Sequence, residues 1–266
     1  MTSIARTATV VALLLACGPD AHAGVQTGVR VIPSFGSSDL DNGVQLDLAT
    51  LPVTLILRSE RVSLRATLPY LQVTTEIPVY YLGGPNLRFP VGGQTIHEEG
   101  PGDLVLTPSV LISRGGLQKP WIWGGVRLKV PTADEDKRLG TGQIDYGPTV
   151  GLLQPAGDRL LLYASARYDV RGDPPGIDLH NTLAASLAGR LRLRRLSGVT
   201  LGLSRTEAAL PGGEPSLTAS TFFDHVFRRR DLSLHAGVFT DRSGDASGYG
   251  VALGFTYRDD PLPWGA

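Results

Sequence analysis

From about residue 25 to residue 258 the chain repeats one unit, a strand-length stretch of alternating apolar and polar residues followed by a turn. A period of two sends successive side chains to opposite faces of a strand. The turns alternate in kind. Short ones are read at Arg58-Ser59-Glu60-Arg61, Arg114 to Lys119, Ala156-Gly157-Asp158, Arg194 to Gly198 and Arg228 to Asp231. Between them come longer Gly/Pro/Asp-rich connections at 36–42, 76–101, 133–144, 171–177, 210–215 and 241–247. An up-and-down sheet with two unlike ends needs this rhythm, and a transmembrane barrel with tight turns at one end and long loops at the other has it. The expected fold class is therefore all-β, an antiparallel up-and-down transmembrane β-barrel of about twelve strands.

The twelve segments are read at 25–35, 44–57, 62–74, 103–113, 120–132, 145–155, 159–170, 178–193, 199–209, 216–227, 232–240 and 248–258. Two are less regular. At Thr50-Leu51-Pro52 the alternation slips by one, which suggests a bulge, and in 216–227 aromatic residues fall on both faces. Elsewhere the faces separate cleanly: Ile122, Gly124, Val126, Leu128 and Val130 oppose Trp123, Gly125, Arg127 and Lys129. A soluble β-sandwich or lipocalin-like barrel is the alternative. Such folds fill a sealed core with bulky Val, Ile, Leu and Phe, whereas here the apolar faces are rich in Gly and Ala. Enclosing several arginines per strand in a dry core would be costly; a wet lumen accommodates them.

The polar faces supply the candidate lumen-lining residues: Arg65, Asp103, Arg127, Lys129, Arg159, Arg167, Asp169, Arg190 and Arg192. Rings of Arg and Lys favour anions in pores. The competing reading is a cross-strand salt-bridge network that stiffens the wall, with Asp47, Asp103 and Asp169 as the main opposing acids. An even strand number with both termini in the periplasm places the long connections outside the cell and the short turns inside.

The N-terminus has the layout of a cleavable export signal, residues 1–23: Arg6 as the positive region, Val10 to Ala16 as the apolar core, Ala21-His22-Ala23 as the cleavage site. Its apolar run is too short for a membrane helix, which needs about 20 residues. Leu14-Leu15-Ala16-Cys17 also fits a lipoprotein box, with lipidated Cys17 as the alternative mature terminus. Cleavage after Ala23 removes the sole cysteine and with it any disulfide framework. The expected organisation is a signal peptide at 1–23, a barrel at 24–258 and a periplasmic tail at 259–266. Lys+Arg and Asp+Glu both number 25, so no basic excess argues for nucleic acid, and no nucleic-acid partner is expected.

Two segments are more specific than the patterning. Gly100-Pro101-Gly102-Asp103-Leu104 opens the fourth strand, and Lys129-Val130-Pro131-Thr132 leads through an acidic loop to Gly140-Thr141-Gly142-Gln143-Ile144-Asp145. Over about residues 98–150 these motifs resemble the meta-pathway phenol-degradation family, bacterial outer-membrane barrels usually described as transporters of aromatic or other hydrophobic compounds. Ala133-Asp134 stands where that family would be expected to carry Gly-Asp. The resemblance implies an outer-membrane location and passive passage of a small organic solute. Read physically, Pro131 ends strand pairing, Gly140 and Gly142 let the chain re-enter the wall, and Asp103 either pairs with a luminal arginine or lines the pore.

No catalytic, cofactor-binding or metal-binding residues are expected. The sequence has no G-x-S-x-G elbow, no paired histidines at zinc spacing and no phosphate-binding Gly loop. Ser233 with His235, and His180 with Ser186, share polar faces; a lipid-modifying barrel enzyme built on such a pair, and a non-transporting structural or surface-interaction barrel, are the alternatives to a channel. The expected partners are the lipid bilayer of the outer membrane, a small-molecule solute and the barrel-assembly machinery. The last strand ends at Tyr257 and not at the chain terminus, a departure from the usual assembly signal.

Overall fold

A computed structural model describes residues 25–40, 44–82, 88–134, 136–137, 139–227 and 231–258, with the side chains of 77–93 outside the description. The expected signal peptide with Cys17, and the expected tail, lie outside the described residues. Fourteen strands follow one another: β1 (Gln26–Val31), β2 (Ser34–Leu40), β3 (Val44–Arg58), β4 (Val62–Leu82), β5 (Arg88–Pro101), β6 (Leu104–Ser113), β7 (Trp121–Val130), β8 (Asp145–Ala156), β9 (Leu160–Asp169), β10 (Thr182–Arg194), β11 (Ser197–Thr206), β12 (Ser216–Phe227), β13 (Leu232–Ser243) and β14 (Ala246–Tyr257).

Every pairing is antiparallel, and the wall closes on itself through β14, which pairs with both β1 and β2. These two are halves of one wall strand interrupted at Ile32-Pro33. Val31 pairs with Val53 and Ser34 with Thr50 on β3, so the register runs through the break. Pro33 has no N–H to give the ladder. In the same way β5 and β6 are two stages of one run: β5 pairs with the upper part of β4, β6 with its lower part, and Gly102-Asp103 separates them. The wall is thus a closed twelve-strand barrel.

The end that holds Gln26 and Tyr257 carries short connections at 59–61, 114–120, 157–159, 195–196 and 228–231. The other end carries 131–144, 170–181 and 207–215. Three of the long connections expected from sequence are different. The 76–101 segment is mostly strand: β4 and β5 pair from Tyr70–Pro101 to Leu82–Arg88 as a tall hairpin above the rim. Segment 36–42 is wall as far as Leu40. Segment 241–247 is a tight hairpin in which Ser243 pairs with Ala246 and Gly244 has φ +60°.

The outer face identifies the solvent it was built for. Leu187 is 63% exposed, Leu201 60%, Val238 56% and Leu253 68%, all on the face opposite the lumen. So continuous a belt of exposed aliphatic side chains belongs in hydrocarbon, not in water. Tyr146, Tyr168 and Tyr249 border it towards the loop end, and Phe227 and Tyr257 lie towards the turn end.

The expected bulge at Thr50-Leu51-Pro52 is absent. Pairing of β3 with β4 runs without a shift from Gln45–Glu76 to Arg58–Ser63. The wall's polarity inverts instead. Below this level Thr54 and Thr67 join hydroxyls across the luminal face at 2.9 Å. Above it the inward positions of β3 and β4 become apolar (Leu46, Leu48, Leu71, Val73), while Gln45, Asp47, Gln72 and Glu76 face outwards. Asp47, expected among the luminal acids, therefore stands on the outer face. Lipid requires an apolar exterior only within its own thickness, and above the membrane the same alternation can be reversed without cost.

Candidate functional site in the barrel lumen

Towards the loop end, the two sequence motifs meet. Asp103, in the break between β5 and β6, accepts hydrogen bonds at Oδ1 from the N–H groups of Thr132 and Ala133, both at 3.1 Å. Thr132 donates its hydroxyl to Gly102 O at 3.1 Å and accepts from Leu104 N at 2.9 Å. Lys129 Nζ, at the top of β7, donates to Thr141 Oγ1 at 2.7 Å and pairs with Asp145 at 3.0 Å and Asp103 at 3.4 Å. Gly140 fits because a Cβ there would strike the Asp103 carboxylate at 2.7 Å. Gly142 takes φ +66°, the left-handed region that returns the chain to β8.

The network continues around the wall. Asp145 accepts from Gly172 N at 3.1 Å and from Arg171 Nη1 at 3.0 Å, and Arg171 Nη2 reaches Thr182 Oγ1 at 3.2 Å. Asp169 accepts from Arg167 Nε at 2.8 Å and lies 3.6 Å from Arg127 Nη1, an ion pair too long for a hydrogen bond. Asp145 and Asp169 are 1% and 0% exposed. Buried charge at this density is tolerable only when matched. Lys129, Arg127, Arg167 and Arg171 against Asp103, Asp145 and Asp169 leave a single positive charge.

The turn end differs. There the lumen holds a cavity of about 530 Å³ to which almost every wall strand contributes. Arg30, Arg58, Arg61, Arg65 and Arg190 line it, and Asp224 is the only carboxylate among the lining residues. That acid is taken by Arg190 in a two-pronged contact, Nε to Oδ1 at 2.9 Å and Nη2 to Oδ2 at 2.5 Å. The cavity keeps a net excess of four positive charges on this count. Trp123, Leu153, Tyr163 and Phe222 supply its apolar surface. Two rings come close to the glycine directly paired with them: Trp123 to Gly151 and Phe222 to Gly237. A Cβ at either glycine would collide with the ring and push it into the lumen.

The sequence-derived candidates separate accordingly. Asp103, Arg127, Lys129, Arg167 and Asp169 belong to the loop-end network, and Arg65 and Arg190 line the cavity. Arg159 and Arg192 are exposed at the turn-end rim, where Arg192 contacts the Asp158 carbonyl. Six charged participants were missed: Arg30, Arg58, Arg61, Asp145, Arg171 and Asp224. Asp145 was present in the motif itself, and Asp224 shares the parity of Phe222, the clue in a strand with aromatics on both faces.

Neither Ser/His pair weighed from sequence is among the described hydrogen bonds. Ser186 bonds Ser165 at 2.6 Å, and His235 bonds Thr256 at 2.9 Å. A different pair, Ser197 Oγ and His225 Nδ1 at 2.8 Å, lies on the outward face near the turn end, with Phe227 edge-on to the imidazole. Among the described hydrogen bonds, no carboxylate orients that histidine, and the neighbouring Asp224 is held by Arg190. Among the described residues, no cluster of three His, Cys, Asp or Glu side chains could hold a metal ion.

An outer membrane channel from Pseudomonas putida F1 superposes with a TM-score of 0.64, covering 90% of this chain and 98% of that one at 14% identity. The fold is an outer-membrane β-barrel. A KdgM porin has a TM-score of 0.51 at 9% identity over 87% of this chain and 99% of its own. A Pseudomonas aeruginosa FadL homologue has a TM-score of 0.50 at 9% identity over 89% and 90%. No protein-family model matches the sequence, and no curated protein matches it.

Proposed function

We propose that this chain is a passive channel of the bacterial outer membrane that passes small organic solutes and favours anions. The cavity carries the reading: among its described lining residues, five arginines stand with one carboxylate. A fixed cationic lining lowers the barrier for anions and raises it for cations. The architecture shared with the Pseudomonas putida F1 channel and the KdgM porin supports a transport role over a purely structural one. In this reading residues 1–23 are the export signal, the turn end and the tail 259–266 face the periplasm, and the tall β4–β5 hairpin stands outside the cell. The wall is inserted by the barrel-assembly machinery with Tyr257 as its last outward aromatic.

Membership of the meta-pathway phenol-degradation family is part of the proposal. It is supported by the way Gly102-Asp103, Lys129, Thr132, Gly140-Thr141 and Asp145 interlock, since each motif residue has a partner in another motif. An aromatic or otherwise hydrophobic cargo follows from that membership. The barrel needs no cofactor and catalyses no reaction; among the described residues no carboxylate orients the part-buried Ser197–His225 pair. Single-channel recording in planar bilayers under a salt gradient tests the reading. Discrete steps with an anion-selective reversal potential are expected; a correctly folded barrel without steps would reject it in favour of a structural or surface-interaction barrel.

A further inference from the structure

We infer that the lipid-facing wall carries a specific seat for the phosphorylated glycolipid of the outer leaflet, with one acyl chain in a groove over β8–β11 and a phosphate on Arg205. The inference goes beyond the channel reading and takes from it only the placing of the loop end outside the cell. Two cavities on the outer face, of about 540 and 650 Å³, both include Leu152, Ala164, Leu187 and Leu203, and so run together as one groove. Ala185 continues its floor towards the loop end and Gly189 towards the turn end. Both stand on β10, and the stretch between them is about 13 Å long at about 3.3 Å per residue. Half the hydrocarbon thickness of a bilayer is about 15 Å, so the groove matches the run of a chain through one leaflet.

Arg205 closes the loop-end mouth of this groove, paired with Ala185 across the ladder. Leu217 pairs with Arg205 and in turn with Arg242, so the two arginines lie two strand spacings apart on the outer face, about 10 Å. Tyr168 on β9 and Tyr249 on β14, which border the apolar belt, stand to either side of them. Among the described hydrogen bonds and ion pairs Arg205 has no partner, and Arg242 gives only Nε to the Gly244 carbonyl at 3.2 Å. Glu207, just beyond Arg205 in the chain, already accepts from Leu183 N at 2.8 Å. A guanidinium group at headgroup level without a protein acid finds its match in a lipid phosphate, which it holds with two parallel hydrogen bonds. A second cation close by suits a headgroup that carries two phosphates. Neither feature alone specifies the lipid, since a lone arginine snorkels to any interface and a lone apolar groove accepts any chain. Joined end to end, they select a molecule that carries both groups.

The test uses the protein purified from outer membranes in a non-ionic detergent, with native mass spectrometry counting bound lipid. The titrants are diphosphorylated lipid A, dephosphorylated lipid A and phosphatidylglycerol. One saturable lipid A per barrel is expected, with the other two at least tenfold weaker. Arg205→Gln should weaken lipid A at least tenfold and Arg242→Gln severalfold. Ala185→Leu, which fills the groove from an exposed position and leaves Arg205 in place, should weaken it as well. Heat-modifiable migration on gels confirms that each variant is folded. Equal retention of phosphatidylglycerol, uptake without saturation, or binding untouched by Arg205→Gln would overturn the seat. So would a second copy of the barrel in the groove, seen as a dimer that takes no lipid A and that Ala185→Leu dissociates. Labelling of exposed Leu210→Cys on intact cells with a membrane-impermeant maleimide checks the orientation. A silent label rejects the placing of the loop end and the outer-leaflet seat together; a labelled barrel that binds no lipid A rejects the seat alone.

Discussion

The two ends of this lumen use the same side chains for opposite purposes. At the loop end, Arg127, Lys129, Arg167 and Arg171 face three carboxylates, buried Asp145 and Asp169 and part-buried Asp103, and tie β6, β7, β8, β9 and β10 into one stiff arc. At the turn end, arginines on β1, β3, β4 and β10 line a cavity in which Asp224, held by Arg190, is the one carboxylate among the described lining residues. An inward arginine is therefore not a selectivity element by itself. What decides is whether an acid stands across the strand from it.

The sharpest way to break the contrast is to remove an acid from the matched end. Asp145→Ala removes an acid that is 1% exposed, takes from Arg171 its carboxylate and leaves Lys129 with Asp103, and loss of one partner of a buried pair costs about 3–5 kcal/mol. The temperature at which the folded band converts on heat-modifiability gels should fall accordingly; an unchanged temperature would mean that the network is not structural. Gly140→Ala drives a methyl group against Asp103 and Ala133, and overpacking of this kind costs about 1–3 kcal/mol by the same assay. At the other end the sensitivity should reverse. Arg65→Gln should reduce anion selectivity severalfold in reversal-potential measurements while stability moves by less than about 1 kcal/mol. Selectivity lost equally in Arg127→Gln would erase the distinction between the ends. The smallest effect is expected at the rim, where exposed Arg192→Ala should change stability by no more than about 0.5 kcal/mol and leave conductance as it was.

The wall was legible in the sequence because lipid enforces it. Each strand that crosses hydrocarbon must present apolar residues at every second position, so strand number, period and turn-end connections could be read one segment at a time. The pairing of charges could not. Asp103 and Asp145 share Lys129 although 42 positions separate them, and only register brings them together. Asp224 was hidden beside Phe222 and Phe223, which point to opposite faces. The slip at Thr50-Leu51-Pro52 was read as an extra residue because the apolar face was assumed to stay outside. Above the bilayer that assumption lapses, and the uninterrupted pairing of β3 with β4 shows that the chemistry changes sides while the backbone continues.

Closure leaves almost no backbone for a stranger to pair with, and the tall hairpin is the exception. Among the described residues, β5 has a ladder partner only on its β4 side. The opposite margin is a template on which a further strand could be laid, and beyond Glu76 β4 likewise has a ladder partner only on its β5 side. The β5 margin is guarded. Pro90 and Pro101 lack donors near either end, Glu98 and Glu99 put like charges beside any incoming acidic strand, and Lys137 already claims the Glu99 carbonyl at 3.2 Å. A second copy of this protein approaching the β5 margin in a crowded membrane would meet these obstacles before it met a bare ladder.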